Sequence, residues 1–302
     1  MIIVKIKKSG GMFAQIFCQI LNILENLEKY DIYPYFEIES KCYGIGECKQ
    51  FIPYYLVHNY DYKTNNNKKI NSNFLELCKE GIIKKDNDNI QICFKFLYKK
   101  LKKKINLNNS NRLFFKYFDI SKDIKYEINE ILKKEFNGFK ILGLHYRSTD
   151  KMKPNSNHSG YKESYYFDDN DTISIIKNEI KINNYNKLFI ATDDRRIIEK
   201  IKQHINIKIF SYIGNFTRLD GICLHNNKLI KSDNDRYQMG KSAIIDSFLL
   251  SNCNFVLKYC SMLSAFSLII NPNLKINKLN KPNYNWFPEN LIKNYTTEKN
   301  NL

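Results

Sequence analysis

The chain has 302 residues, 43% hydrophobic and 14% aromatic, enough to fill real cores and to exclude wholesale disorder. That length holds two ordinary domains or one large one. A formal charge of +17 favours anionic partners such as nucleotide sugars, RNA or acidic membranes, but Lys, Asn and Ile are abundant throughout, so charge alone selects none of them.

In chain order, Ile2–Ile6 reads as a strand, followed by the turn Ser9-Gly10-Gly11 and an amphipathic helix. In that helix Phe13, Ile16, Phe17, Ile20, Ile23, Leu24 and Leu27 recur at helical spacing. A second strand is expected around Tyr33–Ile38. Strand, glycine turn and helix make half of a βαβ unit, and Gly10 and Gly11 would let backbone N–H groups approach an anion; a plain turn fits the same residues. Residues 40–112 give the weakest signal, mixing aromatics with the polar run Thr64–Lys69 and the basic run Lys99–Lys104. Such a lysine run is more often a solvated helix face than a nucleic-acid patch. Asn106–Arg112 reads as a linker.

A helix is expected from about Ser121, its N-cap, to Phe136, with Ile124, Ile128, Ile131 and Leu132 as the buried stripe and Asn137-Gly138 as the stop. Beyond it the pattern becomes regular. Strands are expected at Ile141–Leu144, leading into His145, and at Lys187–Thr192, Ile207–Tyr212 and Asn254–Lys258. Helices are expected near Thr172–Lys181, from Arg195, over about Arg236–Leu250, and up to Asn271-Pro272. This alternation predicts an α/β fold with a parallel sheet covered on both faces.

Four groups of polar residues fall where these strands end, the edge at which α/β folds bind ligands. The first is His145, Arg147, Thr149 and Asp150, where the Arg147 guanidinium offers a fork suited to a phosphate or carboxylate. The second is Asp193-Asp194, a pair that could bind a metal or a ribose; alternatively, Asp193 simply caps the next helix. The third is Asp246, whose helical neighbours Met239, Ala243 and Leu250 place it on an apolar stripe. There a carboxylate needs a strong partner, an arginine or a ligand hydroxyl, unless that helix face is open to solvent. The fourth is Ser261, at a helix start whose N–H groups and hydroxyl suit an anion, and which also serves as an ordinary N-cap.

Eight cysteines lie at positions 18, 42, 48, 78, 93, 223, 253 and 260. They form no C-x-x-C pair and read as reduced thiols. The first residues open directly as a strand, and no apolar run approaches the ~18 residues that span a bilayer. The expectation is a soluble cytoplasmic protein without a transmembrane segment.

Taken in order, His145-x-Arg147-x-Thr149-Asp150-Lys151, Ala191-Thr192-Asp193-Asp194, Ile245-Asp246 before Leu249-Leu250-Ser251, and Tyr259-Cys260-Ser261 resemble the motifs of α1,6-fucosyltransferases. That group includes the nodulation and core fucosyltransferases. The likeness covers about residues 120–272 and extends weakly to Gly10-Gly11-Met12-Phe13-Ala14-Gln15. It implies a GT-B-like fold of two Rossmann-like domains with parallel sheets facing a cleft. Residues 1–137 would form the acceptor side, and 138–302 the nucleotide-sugar-binding domain.

The resemblance further implies metal-independent, inverting transfer of fucose from GDP-fucose to a glycan or other hydroxyl acceptor, with no cofactor and no nucleic-acid partner. Arg147 would clamp the donor diphosphate with His145 beside it, and Asp150 belongs to the same motif. Asp193, Asp194 and Asp246 match nucleotide-side or structural acidic positions, and Ser261 matches a phosphate contact. Glu163 and Asp168 are the nominated bases. The chain departs from the core enzymes at Ser148, where they usually carry a second arginine. Two alternatives stand beside this reading: the same fold using another nucleotide sugar, and a non-catalytic basic α/β protein that binds nucleic acid or a glycan.

Overall fold

A computed structural model describes residues 2–6, 12–15, 20–28, 33–40, 42–60, 83–86, 89–93, 106–147, 167–212 and 232–280. The chain divides into two compact units: residues 1–125 with 232–240, and residues 126–231 with 241–302.

The first unit opens with β1 (Ile2–Ile6), α1 (Met12–Gln15), α2 (Leu21–Glu28) and β2 (Tyr35–Ile38). Next come β3 (Leu56–His58), β4 (Ile83–Asp86), β5 (Asn89–Cys93), α3 (Leu107–Tyr117) and β6 (Phe118–Ile120). Its four-stranded sheet runs β2-β1-β5-β4, with β1 parallel to both neighbours and β4 antiparallel to β5. The helical spacing expected after β1 is realised in α1 and α2, where Phe13, Ile23, Leu24 and Leu27 are buried.

The Asn106–Arg112 linker is overturned. These residues start α3, whose N-cap is Asn106, accepting from the Asn108 N–H at 2.8 Å. The helix buries Ser110, Leu113, Phe114 and Tyr117, an i, i+3, i+4, i+7 stripe whose apolar members come only after the Asn-rich start. Arg112 and Lys116 of α3 hold Glu28 of α2 at 2.5 and 2.8 Å, and Arg112 chiefly draws that carboxyl down to about 2.

β3 and β6 form a separate antiparallel pair that carries His58 into an aromatic cluster of Tyr35, Phe36, Tyr60 and Phe118. His58 Nε2 accepts the Phe36 N–H at 3.2 Å. Burial lowers its pKa to about 4, so the imidazole is neutral.

The second unit has a five-stranded sheet, order β11-β10-β7-β8-β9, parallel throughout. Its elements, from the helix shared at the 125/126 division onward, are α4 (Lys122–Ile131), β7 (Ile141–Tyr146), α5 (Asp169–Asn183), β8 (Lys187–Thr192), α6 (Arg195–Lys202) and β9 (Lys208–Phe210). They continue with α7 (Asp233–Ser251), β10 (Phe255–Lys258), α8 (Met262–Ile270) and β11 (Ile276–Lys278). A parallel sheet covered on both faces makes its strands near-continuous apolar runs, and β7 is buried from end to end.

The expected helix ending at Phe136 is present as α4 followed by a π-helical turn, Leu132–Phe136. Its expected cap is corrected: Ser121 Oγ is buried without a hydrogen-bond partner, so the residue stands at the cap position without capping. At the amino end of β8, buried Lys187 reaches Glu135 Oε2 and the Glu135 carbonyl at 2.5 Å each and lies over the Phe139 ring. A buried ammonium needs such partners.

The two faces of this sheet differ. Leu142, Leu144 and Tyr146 share one core with Leu188, Ile190, Leu257 and Tyr259 and with residues of α5 and α6. Alternation sends Gly143, His145, Val256 and Lys258 to the opposite face. A Cβ on Gly143 would lie 2.9 Å from Cys253 Sγ and 3.0 Å from Val256 Cγ2, so the turn after α7 seats directly on β7.

The first turns of α7 belong to the first unit. There Asp233 Oδ2 accepts the Gly46 N–H at 2.8 Å, Arg236 Nε donates to the Gly44 carbonyl at 3.1 Å, and the Tyr55 hydroxyl lies 2.9 Å from the Arg236 carbonyl. No described helix is long and apolar enough to cross a membrane.

Candidate functional site

Because every strand of the second sheet is parallel, all the carboxyl ends meet at one edge, and the register fixes what stands there. His145 pairs with Lys258 of β10 on one side and Ala191 of β8 on the other. The ladder runs one residue further, with the Tyr259 N–H donating to the His145 carbonyl at 3.1 Å. Arg147, Asp193 and Ser261 therefore follow the ends of three adjacent strands. On the α7 face of this edge stand His145 and Lys258.

His145 is buried, and its Nδ1 lacks a hydrogen-bond partner. Burial, and then the charges of Lys258 and Arg147, hold its pKa well below the ordinary histidine value. A neutral imidazole keeps one acceptor nitrogen.

Asp246 lies on α7, five residues before the helix ends at Ser251. It is 9% exposed, and its Oδ1 lacks a hydrogen-bond partner. Burial alone pushes its pKa well above the ordinary carboxylate range. The expected arginine partner is absent among the described residues. An orphaned buried carboxyl oxygen is costly.

The two aspartates after β8 divide their work. Asp194, not Asp193, caps α6: its Oδ1 accepts the Arg196 N–H at 3.0 Å and Arg196 Nε at 2.8 Å. Asp193 stands at the strand end itself. Among the described residues no group of three or more His, Cys, Asp or Glu is placed to hold a metal.

Ser261 caps α8, its Oγ accepting the Leu263 N–H at 3.3 Å. The turn before it is pinned by Asn280, whose Oδ1 accepts the Cys260 N–H at 2.7 Å and whose carbonyl accepts from Cys260 Sγ at 3.2 Å. Asp168, nominated as a base, caps α5 and accepts the Asn170 N–H at 2.7 Å. Gly10, Gly11, Ser148, Thr149, Asp150 and Glu163 lie outside the described residues.

Sequence reasoning missed three residues here. Lys258 is fully buried beside His145, and a lysine closing an apolar strand was the available signal. Tyr146 lies between His145 and Arg147 but faces the opposite core. Asn280 carries no local signal, because its role depends on β11 pairing with β10.

The family model for Nodulation protein Z (NodZ) matches residues 50–286. The chain belongs to the NodZ family. The match begins at residue 50 and so includes much of the stretch in which the sequence motifs show no likeness. No curated protein sequence matches the chain.

Among solved structures, this NodZ-family chain is similar to a NodZ α-1,6-fucosyltransferase crystal soaked with GDP-fucose. The identity is 15% and the TM-score 0.50, over 90% of this chain and 92% of that one. It is also similar to fucosyltransferase NodZ from Bradyrhizobium (16% identity, TM-score 0.47, over 88% and 91%) and to POFUT1 in its apo form (8%, 0.47, over 92% and 97%). The first of these likenesses concerns the fold, which is α/β and GT-B-like.

Proposed function

We propose that the protein is a glycosyltransferase that transfers fucose from GDP-fucose to a hydroxyl acceptor, binding the donor at the carboxyl edge of the second sheet. One observation carries this reading: in a NodZ-family chain, Arg147, Asp193 and Ser261 follow three adjacent parallel strands, with His145 and Lys258 beside them. The GDP-fucose soaked into the similar NodZ crystal supports the choice of donor.

Each group then has chemistry to perform. The Arg147 fork and the N–H groups at the start of α8 neutralise the diphosphate. The orphaned oxygen of Asp246 and the neutral ring of His145 offer acceptors to the N–H edge of a purine base, and guanine presents two adjacent donors there. Asp193 faces the ribose hydroxyls.

In the reaction the acceptor oxygen bonds to the anomeric carbon from the side opposite the phosphate. The bond from that carbon to the diphosphate oxygen breaks, GDP departs with the electron pair, and the acceptor's proton passes to a base. Charge develops on the departing phosphate, where fixed cationic and N–H donors stabilise it most effectively. Arg147 supplies a permanent positive charge, and Lys258 stands beside it at the same edge, so the proposed reaction proceeds without a metal. The Asp168 carboxylate is engaged with the first turn of α5, which favours Glu163 as the proton acceptor. The acceptor-side role falls to the first unit and the donor-side role to the second.

The test supplies GDP-fucose labelled in the sugar, with a panel of glycans carrying free hydroxyls, and follows GDP and labelled glycan together. Equal amounts of the two products are expected, and transfer persists in EDTA. A wild-type chain that releases no more GDP than Arg147→Ala overturns the reading.

A further inference from the structure

The mechanism above uses one face of the carboxyl edge, but the opposite face carries a built hydrogen-bond network. Tyr146 and Tyr259 are buried neighbours at the ends of β7 and β10, their rings edge to face with centroids 5.0 Å apart. Tyr146 donates its hydroxyl proton to Asp169 Oδ1 at 2.6 Å, and Lys200 of α6 holds Asp169 Oδ2 at 3.2 Å. The Tyr259 hydroxyl lies 2.6 Å from Thr172 Oγ1, which is 2.9 Å from the Asp168 carbonyl. A carbonyl only accepts, so the Thr172 proton goes to Asp168 and the Tyr259 proton goes to Thr172. Both strand ends are thus tied to the first turn of one helix, α5.

We infer that Tyr146, through Asp169, is a positioning residue for Arg147, and that Tyr259, through Thr172, positions the Ser261 turn in the same way. Tyr146 is the residue before Arg147 and closes β7, and Asp169 opens α5, so the Tyr146–Asp169 bond ties the end of that strand to the start of that helix. Tyr259 stands two residues before Ser261. Fixing each tyrosine on the far face sets the backbone direction from which Arg147 and Ser261 leave the sheet. A guanidinium fork tolerates little misplacement when both its hydrogen bonds must form. Neither tyrosine hydroxyl needs to touch the donor.

This inference rests on the donor-binding reading, and a double-mutant cycle with GDP binding measured by calorimetry separates the two. Tyr146→Phe keeps the ring and loses the hydroxyl; GDP affinity is expected to fall roughly fivefold with the circular dichroism spectrum unchanged. In the Arg147→Lys background, where the fork is already lost, the same substitution is expected to add less than about a twofold change. Asp169 is partly exposed, so its variants offer a second route if Tyr146→Phe folds poorly. Asp169→Ala should reproduce the fivefold loss. Asp169→Asn keeps an acceptor for Tyr146 but ends the Lys200 pair, and should retain wild-type affinity. Additive losses in the cycle, or equal losses in Asp169→Asn and Asp169→Ala, overturn the positioning role while leaving the donor reading intact. A wild-type chain with no affinity for GDP overturns both.

Discussion

Lys258 is the ladder partner of His145, and this pairing helps keep the imidazole uncharged. Burial acts first, and Lys258 and Arg147 then add their repulsion. The edge therefore carries its positive charge on the lysine and arginine, while the histidine remains an acceptor.

A pH dependence of stability follows, and His58 sets its window. Burial lowers its pKa to about 4 in the folded chain, against an ordinary histidine value of 6.5. Between these values the unfolded chain takes up the proton and the folded chain does not, so stability falls as pH drops below about 6.5 and the loss levels off near 4. His58 contributes a loss of roughly 3 kcal/mol, and His145 acts in the same direction. Urea unfolding at pH 7.5 and 4.5 checks this. His58→Gln keeps an acceptor for the Phe36 N–H and should flatten the dependence.

Asp246 has the opposite sign. A carboxyl whose folded pKa is raised costs stability as pH climbs above its ordinary value of 3.8, because the unfolded chain releases the proton more readily. Asp246→Asn should therefore raise the melting temperature at pH 7.5. The same variant should bind GDP at least roughly tenfold more weakly, since an amide replaces the acceptor pair that a guanine edge requires. A stabilised variant with wild-type GDP affinity would place the base elsewhere.

Gly143 has no room for a side chain. The contacts at 2.9 and 3.0 Å come from Cys253 and Val256, both on the packed face of β7. Gly143→Ala should cost about 1–3 kcal/mol in chemical unfolding. Adding Cys253→Ala should recover part of that loss.

Much of this was legible from residue pattern, and the misses have physical causes. From β7 onward the central strands β7, β8 and β10 are largely buried on both faces and α5 and α6 carry apolar stripes, so apolar runs and periodic stripes alternate plainly. The β4–β5 hairpin escaped notice because Lys84 and Lys85 interrupt the apolar character of an edge strand. Helix α3 was mistaken for a linker because its exposed face is rich in asparagine and its buried stripe begins late. Asp193 and Asp194 both suit a cap, and only the backbone direction after β8 decides that Asp194 performs it. The membership of residues 232–240 in the first unit depends on contacts with Gly44, Gly46 and Tyr55, far away in sequence, and no local pattern carries it.

Arg147→Lys keeps the positive charge but loses the bidentate fork. Charged hydrogen bonds of this kind contribute ~1.5–3 kcal/mol, so GDP affinity should fall at least roughly tenfold. Calorimetric titration checks it, and unchanged affinity in a well-folded variant would remove Arg147 from the diphosphate site.

The donor assignment is tested most directly by thermal melts of the wild-type chain with GDP, UDP and ADP, each with and without EDTA. GDP at ~100 times its dissociation constant stabilises by ~2.7 kcal/mol, a shift of a few degrees. That shift should survive EDTA, and UDP and ADP should give less. An EDTA-sensitive shift, or equal shifts from all three nucleotides, would contradict metal-free recognition of a guanine nucleotide at this edge.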